Sequence, residues 1–169
     1  MFREMRRKKQ ALSPDTCAAI LREGSAGVLA LEGAEGYPYA VPLSYVYAEG
    51  KIYFHSAKSG HKIDALRRNP RASFCVVARD QVVPEAYTTY FKSVIAFGAL
   101  RILEAEDEKR AAVEKLAEKY FPGDSAEHRQ AAIRRDWAAL LMLEMTIDHL
   151  SGKQAIELAR ENPKIFPGG

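Results

Sequence analysis

Apolar residues recur along the chain first at helical and then at strand spacing. Ser13-Pro14-Asp15 supplies an N-cap hydroxyl, a proline at the first helical position and an acid in the first turn. Cys17, Ile20 and Leu21 then share one helical face, and Gly24 can end the helix. The apolar run Gly27-Val28-Leu29-Ala30-Leu31 suits a buried strand, followed by a turn over 32–36. From Tyr37 to Tyr47 the larger apolar and aromatic side chains fall on odd positions, the period-two signature of a strand. Pro38 and Pro42 argue for an edge strand or for breaks in pairing, which leave backbone groups free to meet a ligand. Ala48-Glu49-Gly50 turns the chain into a further strand, Lys51 to His55, completing a hairpin.

Residues 56–62 open a helix through Ile63 and Leu66, which Asn69-Pro70 closes. A strand over 71–77, a loop over 78–88 and a long strand over 90–104 follow, with Gly98 marking a bulge or close approach. Val113, Leu116, Ala117 and Tyr120 form a helical stripe, Pro122-Gly123-Asp124 breaks it, and Ser125 caps a second helix to about Trp137. Leu140 to Ile147 reads as a strand, with helix as the alternative, and beyond His149 the signals weaken. The pattern predicts an α+β, mainly β fold: an antiparallel barrel or sheet with helices packed on it. It fits one domain over 1–160 with a C-terminal tail over 161–169.

Composition narrows the class. With 47% hydrophobic and 28% charged residues the chain is of ordinary globular type, and no apolar run approaches the roughly 20 residues of a membrane span. The basic start, Arg3 to Lys9, lacks the apolar core of a secretory signal, and Cys17 and Cys75 read as reduced thiols, so a cytoplasmic location is expected. Lys plus Arg exceeds Asp plus Glu by 25 to 22, too small a surplus for a general polyanion binder, so no nucleic-acid partner is expected. Nucleophile elbows, Walker loops, dinucleotide fingerprints and zinc spacings are all missing, and no metal site is expected.

One segment concentrates chemistry. His55-Ser56-Ala57-Lys58-Ser59-Gly60-His61-Lys62 places hydroxyls, a glycine, two histidines and two lysines at a strand-to-helix junction. A helix N-terminus offers unpaired N–H groups and partial positive charge, and the lysines add full charge, which together suit a phosphate. Taken alone, these residues read more simply as a capped surface helix with solvated lysines.

In order and spacing, Tyr37 to Tyr45, Ile52 to Leu66, Asn69-Pro70, Lys92 to Leu103 and Ser151-Gly152-Lys153 resemble the pyridoxamine 5′-phosphate oxidase-like superfamily, in particular its nitroimidazole-resistance (Nim-type) group. The resemblance runs from about Arg6 to Ala159. It implies a split β-barrel homodimer with FMN in two clefts at the subunit interface. His61 and Lys62 would hold the phosphate, where the oxidases carry an Arg-Lys pair. Leu43, Ser44 and Tyr45 would follow the isoalloxazine, and His55, Ser56, Ala57 and Lys58 would line the ring edge and ribityl chain. Ser93 and Val94 would approach the flavin, from the same or the partner subunit, and Trp137 would form an aromatic wall. The Arg-rich substrate-phosphate signature of the true oxidases is missing, so the resemblance implies reduction of a small acceptor such as a nitro-aromatic, with His55 as proton donor or substrate contact. The alternatives are a flavin- or haem-binding protein without turnover, with His61 or His149 as haem ligand, and a regulatory module using the basic arm on nucleic acid.

Overall fold

A computed structural model describes residues 2–161. Of the expected tail, everything beyond Glu161 lies outside the described residues. Five helices, α1 (Pro14–Glu23), α2 (His61–Arg68), α3 (Glu106–Tyr120), α4 (Ala126–Asp136) and α5 (Ile156–Glu161), decorate one sheet. Its seven strands are β1 (Ala26–Glu32), β2 (Pro38–Ser44), β3 (Val46–Ala48), β4 (Lys51–Ala57), β5 (Arg71–Val83), β6 (Thr88–Ile102) and β7 (Leu140–Gln154). They pair antiparallel in the order β2-β1-β5-β6-β7-β4-β3.

That order closes the barrel. The two edge strands, β2 and β3, are consecutive in the chain with Tyr45 alone between them, so the sheet must curl until its edges meet. The α+β split barrel expected from the sequence is the fold observed. Pro38 and Pro42 sit on edge strand β2, where their missing N–H groups break no second ladder.

The inner face carries the principal core. Val94, Ala96 and Leu100 alternate inward along β6, against Leu29, Phe54, Phe74, Leu143 and Met145. Cys17, Ile20 and Leu21 of α1 and Ile63 and Leu66 of α2 join the same cluster. A second cluster lies under α3 and α4, where Val113, Leu116 and Ile133 pack on Val46, Tyr53 and Met142. The expected bulge is present: β6–β7 register shifts between Phe97 and Gly98, and a Cβ on Gly98 would fall 1.8 Å from the Thr146 carbonyl oxygen.

Three boundaries differ from expectation. Most of the loop expected over 78–88 is strand, because β5 and β6 stay paired out to Val83 and Thr88, and the tip reduces to residues 84–87. Ser56 and Ala57 belong to β4, so α2 begins only at His61. The weak signal after His149 concealed the last third of β7 and all of α5, since these residues gain their order from pairing with β6 and from burial of Leu158 and Ala159. No described helix is long and apolar enough to cross a membrane.

Candidate functional site

The β4–α2 junction owes its shape to a mismatch in strand length. β3 pairs only with Lys51, Ile52 and Tyr53, so the outer edge of β4 from Phe54 to Ala57 has no strand partner. His55 and Ala57 are exposed along that edge, while the Ser56 side chain turns inward. Beyond Lys58 the chain turns at Gly60, whose φ of +119° is costly for any residue with a Cβ and whose Cα faces open space. The Gly60 carbonyl accepts from the N–H groups of both Ile63 and Asp64, and no side chain caps the helix. The first-turn N–H groups of His61 and Lys62 thus have no helix carbonyl to bond and point off the N-terminus.

Charge at the junction is unbalanced. Lys58, His61 and Lys62 form no ion pair among the described residues. Lys62 is half-buried, and that burial holds its ammonium below the ordinary lysine pKa. A half-buried cation without a carboxylate, two free backbone donors and an unobstructed glycine fit a phosphate group. His61 stacks on Tyr39 of β2, with ring centroids 4.0 Å apart. Tyr39 was not singled out from the sequence, where it reads as one more inward aromatic of an alternating strand.

The other predicted residues divide. Ser44 is exposed at the end of β2, while the half-buried Leu43 packs against the core. Two others are core residues of this chain. Tyr45 is fully buried and edge-on to Phe74, its N–H donates to Tyr120 Oη at 2.9 Å, and the Tyr120 hydroxyl donates to its carbonyl at 3.0 Å. Its ring lies inside the barrel, which closes at this residue, and its backbone N–H and carbonyl are both bonded to Tyr120. Val94 is fully buried, with ladder partners on both sides, and is likewise a core residue.

Ser93 lies on the outward face of β6, paired with Lys153 near one end of β7, whereas Ala57 pairs with Leu140 at the other end. β7 has fifteen residues, roughly 50 Å if extended, so one chain keeps Ser93 and the junction well apart. Trp137 ends α4, packs against the second cluster and donates from Nε1 to Glu106 Oε2 at 2.9 Å. Ala57–Leu140 pairing places it near the exit of β4. No cluster of three or more His, Cys, Asp or Glu able to hold a metal occurs among the described residues.

A family model described as pyridoxamine 5′-phosphate oxidase matches residues 13–154. Similar solved structures include a FAD-binding protein from Mesorhizobium loti, with 26% identity, 86% of this chain and 97% of that chain covered, and a TM-score of 0.65. A FAD and haem binding protein from Mycobacterium smegmatis shares 25% identity over 87% of this chain and 73% of that chain, with a TM-score of 0.72. A protein from Bacteroides thetaiotaomicron assigned to 5-nitroimidazole antibiotic resistance shares the fold, at 22% identity, 84% of each chain and a TM-score of 0.72. No curated protein matches the chain.

Proposed function

Since the chain belongs to the pyridoxamine 5′-phosphate oxidase family, we propose that it is a flavin-dependent oxidoreductase that binds FMN at the β4–α2 junction and passes electrons to a small acceptor such as a nitro-aromatic. The observation that carries this reading is the half-buried Lys62 beside the uncapped start of α2, which forms no ion pair among the described residues. FMN would supply the redox chemistry, leaving the protein to bind, orient and shield. Lys62 and the N–H groups of His61 and Lys62 hold the phosphate, with Lys58 adding charge at the rim. The unpaired edge of β4 offers backbone groups to the polar side of the ring. Exposed His55 has no side-chain hydrogen bond among the described residues and stands free to donate a proton to a bound acceptor. The protein works as a homodimer in which the partner brings Ser93 to a site that one chain leaves open.

A second reading, haem binding without turnover, is favoured by a cavity of about 560 Å³ lined by Phe2, Met5, Leu12, Phe97 and His149. There Phe2 stacks on His149 at 4.6 Å. His61, the other histidine considered as a haem ligand, is engaged with Tyr39.

An absorption spectrum after incubation with FMN or haemin, followed by dithionite-driven turnover of a nitroimidazole, tests both. Bound flavin with flavin-dependent loss of the nitro band is the expected result. Flavin bound without turnover leaves a flavin carrier, a Soret band alone supports haem, and uptake of neither ends both readings.

A further inference from the structure

The bulge between β6 and β7 places two polar side chains where alternation would place one. Phe97 pairs with His149 and Gly98 with Ile147, so Asp148 is the extra residue. Ile147 and Leu150 both pack against the inner core, which leaves Asp148 and His149 consecutive on the outward face. Arg71, the first residue of β5, is exposed on the other side of β6, opposite Ala99. Three rings gather beside them. Phe2 stacks on His149 with centroids 4.6 Å apart, and Phe97 lies 5.5 Å from Phe2 and 6.0 Å from His149.

Phe2 divides what is otherwise one groove. A cavity of about 560 Å³ on one side is lined by Leu12, His149 and Ser151, and one of about 400 Å³ on the other by Arg71, Gly98 and Asp148. Phe2 and Phe97 stand in the walls of both. Phe2 is a weakly fastened wall: it is 46% exposed, and residues 2–6 lie in no helix or strand and make no backbone hydrogen bond among the described residues. A free aromatic ring taking its place would gain the same stack and the same burial.

Arg71 and Asp148 form no ion pair among the described residues, with each other or with any other group. Strands about 4.8 Å apart put their Cα atoms roughly 10–12 Å from each other across β6, so a ligand fits between the two charges. An anion alone would meet Arg71 but be repelled by Asp148, and a cation alone the reverse. A zwitterion beside an aromatic ring satisfies the whole groove, with its carboxylate on Arg71, its ammonium on Asp148 and its ring on His149.

We infer that this groove binds a free aromatic α-amino acid, whose ring displaces Phe2 from its stack on His149. Phe2 is thus a built-in plug. The groove is formed by β5, β6 and β7 and does not depend on the flavin reading of the β4–α2 junction, whereas it claims the same cavity as the haem reading.

Calorimetric titration of L-phenylalanine, 3-phenylpropionate and phenethylamine into the whole wild-type chain, Phe2→Ala, Asp148→Asn and Arg71→Gln tests it. Asp148 and Arg71 are exposed, so their substitutions leave the core untouched. A seated plug lowers apparent affinity by the fraction of molecules it occupies, so Phe2→Ala should tighten phenylalanine by about threefold or more. Asp148→Asn should weaken phenylalanine by roughly tenfold, the loss of one charge-assisted contact, and leave phenylpropionate, which lacks the ammonium, no weaker. Arg71→Gln should weaken phenylalanine similarly and spare phenethylamine, which lacks the carboxylate. Weaker binding to Phe2→Ala, indifference to both charge substitutions, or no heat with any of the proteins overturns the inference. Haemin bound with a Soret band that phenylalanine does not diminish assigns the cavity to haem and overturns it as well.

Discussion

Lys62 is the side chain on which the proposed site turns. Its flanking groups supply direction, but it alone carries full charge into a half-buried position at the helix start. Lys62→Ala should weaken FMN by about tenfold to a hundredfold, from a charge-assisted hydrogen bond worth roughly 1.5–3 kcal/mol, while riboflavin, lacking the phosphate, loses little. Parallel fluorescence titrations of the two ligands decide it, and equal losses would indicate a disturbed fold. Lys51, the nearest lysine in sequence to the junction on its other side, reads from the sequence as a neutral charge-removal control. The structure disqualifies it, because its Nζ lies 3.1 Å from buried Glu144 Oε2. Exposed Arg67, in the last turn of α2, is the appropriate control and should leave FMN affinity unchanged.

Between elements, one carboxylate joins three strands. Glu144 of β7 is buried, and it accepts from Arg101 of β6 at 2.8 Å and Lys51 of β4 at 3.1 Å, while Arg101 also pairs with Glu108 of α3. Burial alone would raise the Glu144 pKa, but the hydrogen bonds and charges of Arg101 and Lys51 outweigh it and hold the group below the ordinary 4.5. A depressed folded-state pKa means a contribution present in full above about 4.5 and lost as pH falls through the folded value. Glu144→Gln should therefore destabilise by about 1–2 kcal/mol at pH 7, a range reduced because both cations reach solvent. Urea unfolding of the two proteins should show that gap closing in acid below pH 4.5. A gap independent of pH would assign the cost to packing.

For the whole molecule, the outward faces of β1 and β5 are unusually apolar. Val28, Val77 and Val82 are exposed by 41%, 61% and 69%, and Tyr87 at the hairpin tip by 99%. Beyond Arg79 and Lys92 the β5–β6 hairpin pairs with neither β1 nor β7, so it projects with two free edges. Such edges invite pairing or burial in an assembly. The protein is expected to sediment as a dimer at micromolar concentration, and Val77→Glu to shift it toward monomer with parallel loss of flavin affinity. A stable wild-type monomer with full flavin affinity would remove the partner's role.

The sequence by itself determined most of the element types and the side chains gathered at the junction. Ser13 and Ser125 as caps, the alternation through β2 and β4, the bulge at Gly98 and the cluster from His55 to Lys62 are all local signals, set by periodicity and turn chemistry over a few residues. The resemblance carried the barrel and the family. Only the tertiary structure decided which aromatic faces which way. Tyr45 alternates like its neighbours, yet barrel closure at that residue seals it inside. Lys109 lies in α3 just after three acids, yet it is buried and its Nζ bonds the Trp137 carbonyl at the end of α4. The separation of Ser93 from the junction likewise appears only once β7 is seen to run between them. These are facts of long-range pairing, and no window of neighbouring residues contains them.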